Sequence, residues 1–195
     1  MNTLRSHGPE EELVARAQKG DLDAYSELVR RYRETIYRTI FRYTKNHSDT
    51  DDLAQETFLR AFRGLKHFKR QAGFSTWVFR IAVNQSLNFL KKRKREKQMR
   101  PVEERTIGEE AASISSPDSN MGFHELREKL DEAIDSLPLL YRSTFILVVL
   151  EGMNHRQAAR VLGCSENTVA WRVHKARKML QAKLGSYLGE SRDEL

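Results

Sequence analysis

A chain of 195 residues with 34 Lys or Arg against 27 Asp or Glu has a net charge of +7, which favours a polyanionic partner. Its length suits two small domains, its hydrophobic content of 39% suffices for compact helical cores, and no stretch approaches the roughly 18 consecutive apolar residues of a membrane span. One cysteine excludes an internal disulfide, and no apolar segment follows Met1 to Arg5 to suggest a signal peptide, so the expected location is cytoplasmic.

Apolar spacing predicts four helices in the first half, over 10–19, 22–45, 50–65 and 76–95. Leu28, Tyr32, Ile36 and Ile40 mark the buried stripe of the second; Leu53, Phe58, Phe62 and Leu65 mark that of the third. The acids Asp49, Asp51, Asp52 and Glu56 gather where the third helix begins. Acids in a first turn are favoured by the helix dipole, and carboxylate pairs are common on solvated faces, so no metal ion is assigned to them.

From 57 to 95 there are eleven Lys or Arg and no acid, with Phe58, Phe62, Phe68, Phe74, Trp77, Phe79 and Phe89 interleaved. Cations hold phosphate backbones, and aromatic rings stack on bases at about 1–3 kcal/mol each, a combination suited to single-stranded or locally opened nucleic acid. At helical spacing most of these rings belong to a core, which leaves one to three for a surface. The run KKRKR at 91–95 reads either as a solvated helix end helped by the C-terminal dipole or as a phosphate-attracting patch.

Residues 98–122 hold Pro101, Gly108, Pro117, Gly122 and four serines without sustained periodicity, the composition of a flexible linker. The expected division is therefore a domain at 1–97, a linker at 98–122 and a second domain at 123–195. Helices are predicted over 123–136 and 138–150. The run 145–150 alone would also suit a strand, but its helical neighbours favour a buried helix.

The segment 151–180, EGMNHRQAARVLGCSENTVAWRVHKARKML, reads as two helices joined by a sharp turn. Gly163 supplies the left-handed residue that ends the first, after Ala158, Ala159, Val161 and Leu162. Ser165 can cap the second, which starts at about Glu166 and buries Val169, Val173, Ala176 and Leu180. Its other face presents Asn167, Ala170, Trp171, His174, Lys175 and Lys178. Seven Lys or Arg stand against the single acid Glu166 between 152 and 184, whereas 125–151 carries six acids against three bases. Positive charge is concentrated on the element that would enter a groove. Cys164, in the turn, is read as a structural residue.

DDLAQETFLRAF at 51–62, FSTWVFRIAVN at 74–84 and EGM…AARVLGCSENTVAWRVHKAR occur in one order, and together they resemble an extracytoplasmic-function (ECF) sigma factor of bacterial RNA polymerase over about residues 13–184. The resemblance implies an all-α fold of two small domains, a sigma-2-type helical bundle and a sigma-4-type helix-turn-helix, joined by a flexible linker. It implies bacterial core RNA polymerase and promoter DNA, both duplex and opened single strand, as partners. It also implies an anti-sigma factor, often membrane-tethered, and a monomer when free. Asp52, Gln55, Glu56, Leu59, Arg60 and Arg63 would form the docking face for core polymerase.

By the same resemblance the loop 68–74, with Phe68, Lys69, Arg70 and Phe74, and the helix after it capture a flipped base of the downstream promoter element. Asn84 and Asn88 would read base edges, Arg80, Lys91 and Lys92 would hold phosphates, and Phe79 or Trp77 would wall the strand, although Trp77 is more often core in this family. Ala170, Trp171, His174 and Lys175 would face the major groove of the upstream element, with Arg172 and Arg177 on phosphates. Trp171 replaces a small or polar residue common in the family, and Ala170 stands where Lys or Arg is frequent. The Trp171 ring could meet a thymine methyl, stack on the sugar backbone or bind a regulator. Neither a cofactor nor covalent chemistry is implied. The alternative is a dimeric helix-turn-helix regulator acting without core polymerase.

Overall fold

Eight α-helices follow one another in the described residues, 10–99 and 121–190, of the computed structural model, with no β-strand among them. The chain divides into two units, Met1–Ala112 and Ser113–Leu195.

In the first unit α1 (Glu10–Gln18), α2 (Leu22–Thr44), α3 (His47–Gly64) and α4 (Phe74–Met99) form a bundle, with a 3-10 turn at Leu65–His67. Short polar residues decide where helices begin. Asp21 accepts the Ala24 N–H at 3.0 Å ahead of α2, and Asn46 accepts the Asp49 N–H at 3.0 Å ahead of α3, satisfying donors that a first turn leaves open. Between them Lys45 ends α2 in the left-handed region at φ 53. α2 packs on α1, α3 and α4, and α3 packs on α4. Leu28, Ile36, Ile40, Val78 and Val83 are fully enclosed and fix the centre of the core.

The second unit contains α5 (Met121–Asp135), α6 (Leu139–Phe145), a π-helical turn at Ile146–Leu150, α7 (His155–Leu162) and α8 (Glu166–Glu190). Ala133, Ile134, Leu137, Phe145, Ala176 and Leu180 make one buried cluster. The single helix expected at 138–150 is α6 continued by the wider turn, which closes with Glu151 N–H donating to Ile146 O at 2.9 Å. Ser143, Thr144, Phe145, Ile146 and Leu147 are buried in succession, as in a helix covered on every side. That explains why the apolar run has a strand-like look without being one.

Of the expected linker, Gln98 and Met99 prolong α4, and Met121 and Gly122 open α5. The rest of it lies outside the described residues. Among the described residues no helix is long and apolar enough to cross a membrane.

Candidate nucleic-acid interface

The helix pair α7–α8 is built by local rules. Asn154 and Gln157 form a reciprocal cap on α7, the Gln157 N–H donating to Asn154 at 2.9 Å and the Asn154 N–H to Gln157 at 3.0 Å. Gly163 stops α7 at φ 66, and Ser165 Oγ accepts the Thr168 N–H at 3.1 Å to open α8. Val169, Val173, Ala176 and Leu180 are buried against the rest of the unit. Opposite them Asn167, Trp171, His174, Lys175, Arg177 and Lys178 are exposed, with Ala170 half-buried at their edge. Trp171 keeps 56% of its surface exposed while resting against the Tyr141 ring, centroids 5.8 Å apart. The result is a basic face with one large apolar plate, able to approach both phosphates and base edges.

α4 carries a second exposed stripe. Arg80, Asn84, Asn88 and Lys91 recur at three- and four-residue steps and are all exposed, as is Lys92. Val78, Ala82, Val83, Gln85 and Ser86 are buried on the other side. The stripe thus presents two amides between cations, with no carboxylate from Thr57 to Arg95 to repel a phosphate. At its N-terminal end the loop 68–73 exposes Lys69, Arg70 and Gln71. Arg70 adopts φ 54, a conformation that L-residues other than Gly avoid. Phe68 is half-buried, stacked on Trp77 at 4.8 Å.

α3 offers a different surface. Asp52, Gln55, Leu59, Arg60 and Arg63 are exposed along one side, and Glu56 holds Arg60 Nε at 2.7 Å. Phe62 joins them, exposed to 42% like Leu59. Asp49, at the start of the helix, pairs with Arg93 of α4 at 3.8 Å. Among the described residues no three His, Cys, Asp or Glu converge on a point where a metal ion could be held.

The Sigma-70 region 2 model matches residues 28–96 and the Sigma-70 region 4 model residues 127–180. The chain is 32% identical over 181 residues to the ECF RNA polymerase sigma-E factor of Haemophilus influenzae, covering 88% of this chain and 93% of that one. The chain belongs to the ECF sigma factors. Its counterpart in Escherichia coli K12, also an ECF RNA polymerase sigma-E factor, is 34% identical over 177 residues, 88% of this sigma factor and 92% of its own length. Among solved structures it is similar to CnrH in complex with the cytosolic domain of CnrY, at TM-score 0.68 and 25% identity over 91% of this chain and 97% of that one. The fold is also shared by sigma factor RpoE of Bartonella quintana, solved with the anti-sigma factor NepR, at TM-score 0.67 and 22% identity over 83% and 96% of the two chains.

Three expectations for this sigma factor need correction. Phe74 and Phe79, expected to face the DNA strand, are 2% and 5% exposed and belong to the core. Neither can offer a ring to a base without vacating space between helices, so Phe68 with Trp77 is the aromatic pair left near the surface. Arg172, expected to reach a phosphate, is half-buried with Nη1 directed at Cys164 Sγ at 3.6 Å.

The buried side of α3 also differs from the stripe of large residues expected. Thr50, Thr57 and Ala61 are the enclosed residues, whereas Leu53 and Phe58 are half-buried and Phe62 is exposed. The threonines are tolerated there because Thr50 donates to Asn46 O at 2.6 Å and Thr57 to Leu53 O at 2.7 Å. Phe62 is the residue that sequence reasoning missed on this face. The spacing that picks out Leu59 reaches Phe62 three residues on, so the signal was present and was read as core.

Proposed function

We propose that this sigma factor directs RNA polymerase to promoters through three separate surfaces. The α3 face, with Asp52, Gln55, Glu56, Leu59, Arg60, Arg63 and the added Phe62, docks on core polymerase; its acids meet basic side chains while Leu59 and Phe62 supply apolar burial. The α4 stripe and the loop before it hold the opened downstream strand. There Asn84 and Asn88 donate to and accept from base edges, Arg80, Lys91 and Lys92 neutralise phosphates, and the loop receives an unstacked base. Capture of that base offsets the few kcal/mol of unpairing. α8 enters the major groove of the upstream element with Trp171, His174 and Lys175 leading and Arg177 on the backbone.

The observation that supports this reading is the α4 stripe, in which two exposed amides stand between cations in a sequence without a carboxylate from 57 to 95; Glu96, the next residue, pairs with Lys92 at 3.8 Å. A solvated helix face has no reason to exclude acids over so long a stretch. No covalent chemistry is assigned to the protein, and its place of action is the cytoplasm, where promoter DNA lies. Its activity is held in check by an anti-sigma protein, a partner supported by the complexes of the similar CnrH and RpoE.

The test is to mix the purified chain with bacterial core RNA polymerase and map transcripts started on fragmented genomic DNA of its source, with core alone as control. New starts that share two motifs at fixed separation are expected. Tight binding to a duplex palindrome, without polymerase association and without new starts, would overturn the reading in favour of a dimeric regulator.

A further inference from the structure

The loop that precedes α4 is anchored from outside as well as by the Phe68–Trp77 stack. Both its ends are tied to α1, which lies outside residues 28–96 matched by the region 2 model. At one end the Gln18 amide nitrogen donates to Leu65 O at 3.0 Å and to Phe68 O at 2.9 Å. Its oxygen accepts Arg70 Nη2 at 2.7 Å and Arg70 Nε at 3.2 Å. The amide can face only this way, because carbonyls do not donate and a guanidinium does not accept. Four bonds use its full capacity. At the other end Glu10 accepts the Phe74 N–H at 3.1 Å, and also the Tyr32 hydroxyl.

Arg70 sits between these anchors at positive φ, a conformation that persists only where its surroundings enforce it. Gln18 supplies that enforcement by gripping the guanidinium on one side and the carbonyls of Leu65 and Phe68 on the other. The orientation of Lys69, Arg70 and Phe68 toward a bound strand therefore depends on a residue that need not touch DNA.

We propose that Gln18 is a positioning residue that shapes the loop 68–73 for base capture, so that α1 sets how selectively the opened strand is read. The inference rests on the loop's role proposed above. Its test uses the full chain bound to core polymerase, with partly single-stranded promoter probes carrying each of the four bases at successive positions of the downstream element. 2-Aminopurine fluorescence reports unstacking.

For the unchanged protein a marked base preference is expected at the captured position. Gln18→Met, similar in size but unable to make any of the four bonds, should reduce that preference by about ten-fold, the effect of losing one or two net hydrogen bonds. Affinity for core polymerase and for the upstream duplex should stay within about two-fold, because the α3 and α8 faces are left intact. Gln18→Glu keeps the acceptor for Arg70 and loses both donations, so it should fall between the two and serves if the Met variant does not fold. Lys19→Ala is the neighbouring control.

A wild type with base preference and a Gln18→Met variant that retains it would overturn this inference alone. A wild type without preference at any position would remove the loop's role and this inference with it. Equal loss of polymerase and upstream-duplex binding would mark Gln18 as merely structural, and would overturn it too.

Discussion

Gln85 of α4 donates its side-chain amide to Thr57 Oγ1 of α3 at 3.0 Å, and both residues are buried. The Thr57 hydroxyl donates in turn to Leu53 O at 2.7 Å. The helix bearing the proposed docking face and the helix bearing Asn84 and Asn88 are thus keyed together by a buried polar contact. Thr57→Val keeps the shape but leaves the Gln85 amide without its acceptor, a penalty of about 1–3 kcal/mol. Urea denaturation should show a lower midpoint for the first unit; an unchanged midpoint would mean the contact contributes nothing.

Phe62 and Leu59 present adjoining apolar surface on α3. Replacing Phe62 by Ser should weaken binding to core polymerase by about ten-fold or more, in the range of an apolar anchor at an interface centre. Upstream duplex affinity should not change. The pair of binding curves decides the matter, since loss in both would indicate damage to the fold.

Asn84→Ala and Lys175→Ala should separate opening from duplex recognition. The first is expected to reduce permanganate-reactive opening by the holoenzyme, with little loss of upstream affinity. The second should weaken upstream binding by about 1–3 kcal/mol and relax base preference at the position it reads, the signature of a lost base contact. Equal losses in both assays for both variants would refute the division of labour.

Gly163 holds φ 66 at the end of α7, with open space where a Cβ would stand. Strain rather than collision therefore determines the effect of Gly163→Ala, about 1–2 kcal/mol by the left-handed penalty. Thermal unfolding of the second unit should shift downward, and upstream binding should fall with it as α8 loses its fixed entry angle.

Burial pushes the Tyr25 hydroxyl up from its ordinary 10.0 to about 12, and that hydroxyl donates to Phe58 O at 2.5 Å. A raised pKa in the folded state means stability present below pH 10.0 and lost as pH climbs toward 12. Stability measured across that window should fall less steeply for Tyr25→Phe. Parallel pH curves for the two proteins would contradict it.

Local chemistry was legible in the sequence. Gly163, Ser165 and the Val169, Val173, Ala176, Leu180 face act through neighbours three or four residues away, so their pattern and their structure carry the same information. α3 is less legible, because size does not decide burial there: Thr57 is enclosed by virtue of its hydrogen bonds, while Phe62, against the Tyr25 ring, stays 42% exposed. Phe74 and Phe79 erred in the opposite sense, since an aromatic ring near cations looks the same in sequence whether it stacks on a base or on a core. The grip of Gln18 on Leu65, Phe68 and Arg70 left no trace in the sequence at all, as it joins residues about fifty positions apart with no periodicity between them.

α4 runs unbroken from Phe74 to Met99, with Gln85 bolted to α3 and Asn84 and Asn88 on the solvent side. It therefore acts as a ruler whose zero mark is the Thr57 contact. Each residue advances the stripe about 1.5 Å and turns it about 100°, so a single residue inserted between Gln85 and Asn88 would swing the second amide off its line while the first stayed put. The spacing of the two amides is written in the pitch of the helix itself.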